Sequence, residues 1–270
     1  MAKIYASLPS VLVCLIVLIV TVLMPGTASR ADDTDDAQAG AQLFEQLKSQ
    51  GEIVKTSPLY DALRPIAAAI TKVAEPQYQY PIHFYIVHEK QPNAFAAPGG
   101  NIYVVDSLMY FVKNTEELAG TLCHETSHLL HHDSMDLMKR DDAIRRRAIA
   151  ATILLGPSIG TILAVDAIST LDSMHYSRDA EEAADITGSD TCAAAGYNPW
   201  GLVWLFQDFS SANLKSPPEM LSDHPNNAHR IARLENHFTQ NPATFAKFGG
   251  NPKTATHLVL PASEAEQFLR

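Results

Sequence analysis

Apolar residues recur every three to four positions along most of this chain, which predicts a mainly helical protein. The predicted helices have apolar stripes bounded by capping or helix-breaking residues, and they cover Ala41–Lys48, Leu59–Val73, Glu116–His132, Ser177–Ala195, Pro199–Phe209 and Pro225–Asn236. Two runs, His83–His88 and Ile102–Val105, instead have the aromatic and β-branched composition of strands, and we predict that they pair as a hairpin. The pattern therefore predicts an α+β fold, mainly helical, with a small β-sheet.

The first 31 residues carry a different signal. Lys3 precedes an apolar run over Val11–Met24, and small residues follow up to Ala31. This order is typical of a cleaved secretory signal peptide. A signal anchor is the alternative, because about 20 apolar residues can cross a bilayer. Residues 32–40 are then polar and acidic, so we predict a mobile start of the mature chain.

Residues 124–128 read His-Glu-Thr-Ser-His within a predicted helix. Residues four apart on a helix share a face, so His124 and His128 can bind one metal ion. Glu125 then lies where it can activate a metal-bound water. Chance would give about 0.02 such motifs in a chain of this composition. The motif therefore indicates a zinc hydrolase that uses Glu125 as its general base.

A catalytic zinc site needs a third protein ligand. A third His of the metzincin kind would stand six residues after His128, where this chain has a serine. A second predicted helix offers Glu181 and Glu182. Asp185 follows Glu181 on the same helix face, where a carboxylate can orient a ligand His. We therefore predict one Zn²⁺ bound by His124, His128 and Glu181, with Asp185 as the orienting group.

Four landmarks in chain order extend this motif. They read NAFAAPGG at 93–100, ELAG at 117–120 before HExxH, SRDAEEAAD at 177–185 and DHP at 223–225. In this order they resemble the zinc metallopeptidases of the HtpX and CAAX prenyl protease type, and especially their exported BepA-like members. The resemblance covers residues 60–235. It implies a gluzincin fold, with an HExxH helix, a second ligand helix and a small sheet.

The resemblance also implies a function and a domain organisation. Unfolded or damaged envelope proteins would be the substrates of a zinc endopeptidase acting in periplasmic protein quality control. A latent or non-catalytic chaperone-like scaffold with a masked zinc site is the alternative. BepA-like proteins carry a tetratricopeptide domain after the peptidase, whereas we expect a single metallopeptidase domain over 32–270 here, ending in a tail over 237–270.

The first landmark predicts a place for the substrate. A Pro/Gly-rich connection beside a short strand can leave a sheet edge open to an extended peptide, which main-chain hydrogen bonds would hold with little regard to sequence. The residues of this edge are Asn93, Ala94, Phe95, Ala96, Gly99 and Gly100. A plain hairpin turn without a ligand role is the alternative.

His224, in the fourth landmark, lies by the metal if the resemblance holds. It could donate a hydrogen bond to the oxyanion of the reaction, or it could occupy the fourth position of the zinc and keep the enzyme latent. Tyr176 and Arg230 are further candidates for the same work. The role of His224 is therefore left open between catalysis and latency.

The net charge and one apolar segment restrict the kinds of partner that we expect for this protein. The net charge of −10 disfavours nucleic acid, which needs clusters of Lys and Arg. Residues 148–165 carry no charge, yet a single membrane crossing there would separate His124 from Glu181. We predict a hairpin over 148–168 that is buried or lies on a membrane surface. Cys123 and Cys192 could pair in an oxidising compartment, and free buried thiols are the alternative.

Overall fold

The computed structural model describes residues 33–140, 176–211 and 227–261. The predicted signal peptide at 1–31, the apolar hairpin at 148–168, His224 and the end of the C-terminal tail lie outside these residues. Within the described ranges, no helix has both the length and the apolar character that a membrane crossing requires. The described residues after Asp33 belong to one compact unit, Thr34–Arg270.

Helices make up most of this unit, as the hydrophobic period predicted. The named helices are α1 (Asp33–Gln50), α2 (Leu59–Ala74), α3 (Asp106–Phe111), α4 (Thr115–Leu130), α5 (Arg178–Ala195), α6 (Trp200–Ser211), α7 (Asn227–Gln240) and α8 (Pro242–Phe245). A further helical stretch covers residues 133–140. The prediction of a mainly helical α+β fold is therefore confirmed.

The sheet has three strands, β1 (His83–Val87), β2 (Ala94–Ala97) and β3 (Asn101–Val105), in the order β1-β3-β2. β3 pairs in parallel with β1 and antiparallel with β2. The predicted hairpin between the first and last of these strands is therefore wrong. Three of the four residues of β2 are alanines, which have a low strand propensity, so its composition hid the strand that forms the true hairpin with β3.

The two faces of the sheet are covered by different helices. On one face, Ile86, Ile102 and Val104 join the main core with apolar residues of α2 and α4. On the other face, Tyr103 and its neighbours pack against a second cluster that contains Leu47 of α1. The sheet is therefore a buried layer, and the N-terminal helix closes its outer side.

The acidic segment at 32–40 differs from its prediction. We expected a mobile start, but α1 begins at Asp33 and residues 36–40 lie on its first turns. The side chain of Asp36 is 1% exposed and contacts groups from two distant turns of the chain. Tertiary contacts, which composition does not reveal, thus order a segment whose local sequence is typical of a mobile terminus.

Candidate metal centre

Helix α4 carries the HExxH motif through the middle of the core. Asn114 caps this helix by accepting a hydrogen bond from the Glu117 N–H, and nearly every side chain from Glu116 to Leu129 is buried. Two of its side chains, His124 and His128, point to one place and have exposures of 1% and 0%. A helix that is buried all round holds its side chains in fixed positions.

Helix α5 brings the third candidate ligand. Ser177 caps it by accepting from the Ala180 N–H, and Gly196 ends it in the left-handed conformation. The two helices touch at Gly188, where an added Cβ would lie 3.1 Å from the Cα of His124. A larger residue would crowd α4 at this point, and the close approach of the two helices brings Glu181 to the two histidines.

His124, His128 and Glu181 offer ligand atoms that all lie within 4.8 Å of one another. Nε2 of His124 is 3.1 Å from Nε2 of His128 and 3.5 Å from Oε2 of Glu181, and Nε2 of His128 is 3.6 Å from Oε1 of Glu181. Ligands about 2.1 Å from a tetrahedral ion stand about 3.4 Å apart. The predicted ligands therefore have the spacing and donor types that fit a zinc ion.

Each imidazole has a carboxylate behind it. Oδ1 of Asp185 lies 3.1 Å from Nδ1 of His124, and Oδ2 of Asp133 lies 2.7 Å from Nδ1 of His128. A Nδ1–H that donates to a carboxylate leaves the lone pair of Nε2 free to bind a metal. Asp185 thus stands where the sequence predicted it, whereas sequence reasoning missed Asp133. Helical spacing could not identify Asp133, because α4 ends at Leu130.

Arg230 of α7 is a buried cation that pairs with two acids of the site. Its Nη1 is 2.9 Å from Oε2 of Glu181, its Nε and Nη2 donate to Asp185 at 2.8 and 2.6 Å, and the guanidinium lies 4.3 Å from the ring centroid of Phe206. Burial opposes ionisation of both partners, but the charge of Arg230 holds the pKa of Asp185 below its ordinary value. Arg230 therefore fixes the two acids of α5 relative to each other.

The acids around the two imidazoles favour a positive charge at this place. Burial and Arg230 act to lower the pKa of His124, but its contacts with Asp185 and Glu181 outweigh them and raise that pKa to about 9. Burial likewise opposes charge on His128, and Asp133 and Glu181 still raise its pKa. A site that draws protons onto two buried imidazoles has the electrostatic field that a metal cation needs.

Glu125 lies beside these ligands and is fully buried. Its Oε2 accepts a hydrogen bond of 3.0 Å from the N–H of Ala96, in β2. The strand thus holds the carboxylate of the predicted general base from the side opposite to its helix. A role for Glu125 in catalysis stays a prediction, and its position next to the ligand set fits that role.

The segment predicted to bind substrate forms β2 and the turn after it. β2 is an edge strand, and Ala96 turns both of its main-chain groups away from β3: its N–H donates to Glu125, and its carbonyl accepts from Ser134 Oγ at 2.8 Å. The N–H of Ala94 donates to the side chain of Asn93. The edge therefore runs beside the candidate base, but side chains of this chain occupy it at Ala96. Binding of a peptide there stays a prediction.

Tyr176 packs directly on one ligand. Its ring stacks on His128 with centroids 3.9 Å apart and planes 9° apart, and its hydroxyl lies 3.0 Å from Ser134 Oγ. Burial raises the pKa of Tyr176 well above its ordinary value, so the hydroxyl keeps its proton. Tyr176 therefore positions the ring of His128, while its proposed contact with an oxyanion stays a prediction.

Comparison with known proteins agrees with this geometry. Residues 61–237 match the model of peptidase family M48. The chain is 28% identical over 170 residues to the beta-barrel assembly-enhancing protease of Yersinia pestis, which covers 59% of this chain and 35% of that protein. It is 26% identical over 210 residues to the metalloprotease YcaL of Escherichia coli (strain K12), which covers 77% of this chain and 81% of that protein.

A more distant relative is the mitochondrial metalloendopeptidase OMA1 of Schizosaccharomyces pombe, with 24% identity over 155 residues, 56% of this chain and 45% of that protein. The chain spans between 35% and 44% of the length of the beta-barrel assembly-enhancing proteases of Yersinia pestis and Escherichia coli that it matches. The predicted resemblance to metallopeptidases is confirmed by the family match. Since that match includes both helices of the candidate metal centre, the chain belongs to peptidase family M48.

Proposed function

We propose that the protein is a zinc-dependent endopeptidase. The observation that carries this proposal is the buried set of His124, His128 and Glu181, with the carboxylate of Glu125 next to it and an edge strand beyond. Zinc bound by the three ligands would polarise the scissile carbonyl and make the attacking water more acidic. Glu125 would accept a proton from that water and deliver it to the leaving amine.

The donor set supports zinc in particular. Two imidazole nitrogens and one carboxylate match the ligands of catalytic zinc sites, which keep one position open for water or substrate. Magnesium and calcium prefer oxygen ligands alone. Asp185 and Asp133 would hold the two imidazoles in the tautomer that binds metal, and Arg230 would balance the acids of α5.

We propose unfolded or damaged envelope proteins as substrates, and the periplasm as the place of action. The names of the beta-barrel assembly-enhancing proteases support this, since they describe proteases that enhance the assembly of β-barrels, a fold that spans outer membranes. The order of charged, apolar and small residues over 1–31 supports export. Main-chain pairing along β2 would suit substrates that have lost their fold, because such binding depends little on side chains.

The alternative, a latent or scaffold-like protein with a masked site, has one observation in its favour. Both outward main-chain groups of Ala96 bind side chains of this chain, so an added peptide would have to displace Glu125 and Ser134 from the edge. In a latent protein this closed edge would persist, and zinc would be bound without turnover.

Cleavage of an unfolded protein such as casein tests the proposal. The purified protein with zinc should cleave casein, and Glu125→Gln or a chelator should reduce the rate at least about 100-fold. Glu182→Gln is the matched control, because the side chain of Glu182 on the ligand helix is 44% exposed and pairs with Arg233. Zinc binding without any cleavage would favour the latent alternative, and cleavage that survives Glu125→Gln would contradict the proposed mechanism.

A further inference from the structure

A further buried carboxylate, Asp36, lies outside the ligand set on helix α1. It is 1% exposed, and its Oδ1 accepts a 2.6 Å hydrogen bond from the N–H of Gly99. Its Oδ2 lies 3.1 Å from Nδ1 of His132, and the hydroxyl of Tyr78 is a third partner. Burying a carboxylate costs free energy unless hydrogen bonds replace its lost hydration. Three partners from separate segments of the chain therefore indicate that the contacts of Asp36 are specific.

The backbone of α1 is fixed at the same place. Gly40 lies so close to the turn after β2 that an added Cβ would stand 2.1 Å from the carbonyl oxygen of Pro98. The amide of Asn101 also donates to the carbonyl of Gly40, at 3.5 Å. Asp36 is one helical turn away from this contact, so the helix cannot carry its carboxylate away without breaking the main-chain packing.

His132, the partner of Asp36, has a strained backbone. Its φ is 58°, a left-handed conformation that is uncommon for residues other than glycine. Its ring lies 5.4 Å from that of Tyr78, which also contacts Asp36. Contacts from outside the turn are needed to hold such a conformation, and Asp36 and Tyr78 supply them.

The strained turn leads directly into a residue that contacts the metal centre. Asp133 follows His132 directly, and its carboxylate accepts the hydrogen bond from Nδ1 of His128. The direction in which Asp133 leaves the end of α4 is set by the backbone of His132. A chain of contacts thus runs from Asp36 through His132 and Asp133 to the ligand His128.

We propose that Asp36 is a positioning residue of the metal centre: by holding the turn at His132, it keeps Asp133 on His128 and so strengthens metal binding. This inference rests on the proposed zinc site. It gives helix α1, whose first turns have a sequence typical of a mobile terminus, a part in building a centre to which it contributes no ligand. The proposed role is specific to Asp36 among the acids of α1. Glu45, for example, pairs with Lys48 at the surface.

The test is a double-mutant cycle on the zinc affinity, measured by competition with a chromophoric chelator. Asp133→Ala should weaken zinc binding about 10- to 100-fold. Asp36→Ala should weaken it about 3- to 30-fold in the native background and by less than about 2-fold in the Asp133→Ala background, because it acts through Asp133. Glu45→Ala, on the same helix, should leave the affinity unchanged.

The outcomes distinguish a failure of the positioning role from a failure of the proposed function. Full additivity of the two substitutions, or an unchanged affinity in Asp36→Ala, would overturn the positioning role. Absence of zinc binding by the native protein would instead contradict the proposed function. If Asp36→Ala does not fold, His132→Ala takes its place, because alanine removes the imidazole that contacts Asp36 and adopts the left-handed conformation less readily than histidine. The same coupling to Asp133 is expected there, and an affinity equal to that of the native protein would reject the proposal.

Discussion

The two candidate histidine ligands are oriented by carboxylates that are built in different ways. Asp185, behind His124, is fully buried in the middle of helix α5 and is bound twice by Arg230. Asp133, behind His128, directly follows the turn after α4 as the first residue of the helical stretch over 133–140, and its side chain is 15% exposed. The first carboxylate is fixed by regular structure and an ion pair, and the second by a strained turn.

This difference divides the site into a rigid half and a compliant half. On the side of His124, a change in one charge must disturb Glu181, Asp185 and Arg230 together, because all three are buried in contact. On the side of His128, a change affects mainly the direction of one imidazole. We therefore expect substitutions in the rigid half to reduce stability most, and substitutions in the compliant half to reduce metal affinity with little loss of stability.

The largest effect is expected from Arg230→Met. This change removes the cation and leaves the carboxylates of Glu181 and Asp185 buried next to each other, which should lower the free energy of unfolding of the metal-free protein by about 3–5 kcal/mol. Urea unfolding followed by circular dichroism would measure it. A loss below about 1 kcal/mol would mean that water or other cations already compensate the two acids.

A smaller loss of stability is expected from Asp185→Ala. Arg230 keeps Glu181 as a partner in this variant, so the loss should be about 1–3 kcal/mol, with zinc binding weakened about 10- to 100-fold. Unfolding and chelator competition on the same protein would measure both. An unchanged zinc affinity would show that Asp185 supports the fold alone.

Asp133→Ala should separate the effect on zinc affinity from the effect on stability. Because Asp133 is partly exposed, we expect its removal to lower stability by less than about 1 kcal/mol, while the unsupported His128 weakens zinc binding about 10- to 100-fold. If stability falls as much as in Asp185→Ala, the two halves do not differ and the comparison fails.

Glu182→Gln should have the smallest effect. Glu182 neighbours the candidate ligand Glu181 in sequence, but it is 44% exposed and pairs with Arg233 at the surface. The change should alter stability by less than about 0.5 kcal/mol and leave zinc binding intact. Loss of zinc from this variant would exchange the roles of the two glutamates.

Sequence reasoning found the parts of the site, in both halves, that depend on spacing within one helix. Helical spacing placed His124 with His128 and Glu181 with Asp185, because residues four apart share a helix face whatever the rest of the fold does. Caps at Asn114 and Ser177 also have local signatures. These features depend on a few neighbouring residues and could be predicted without a structure.

The features that escaped prediction depend on distant residues. Asp133 follows the left-handed residue His132, and His132 contacts Asp36, 96 residues earlier. β2 was hidden by its alanines, which become a strand because β3 lies beside them. Arg230 was a candidate for a contact with the oxyanion or the metal, but its ion pair with Asp185, across 45 residues, was not predicted. No local pattern encodes such contacts, so the structure was needed to find them.

Two free thiols among the residues that the structure describes can report on this buried centre. Cys123 precedes the ligand His124, and Cys192 of α5 donates from Sγ to the carbonyl of Ala119 on α4, at 3.4 Å. Burial raises the pKa of Cys123 well above its ordinary value, which keeps the thiol unreactive while the two helices stay together. A soluble thiol reagent can reach these sulfurs only when α4 and α5 separate. The labelling rate would therefore time the opening of the ligand helices, and a bound metal should slow it.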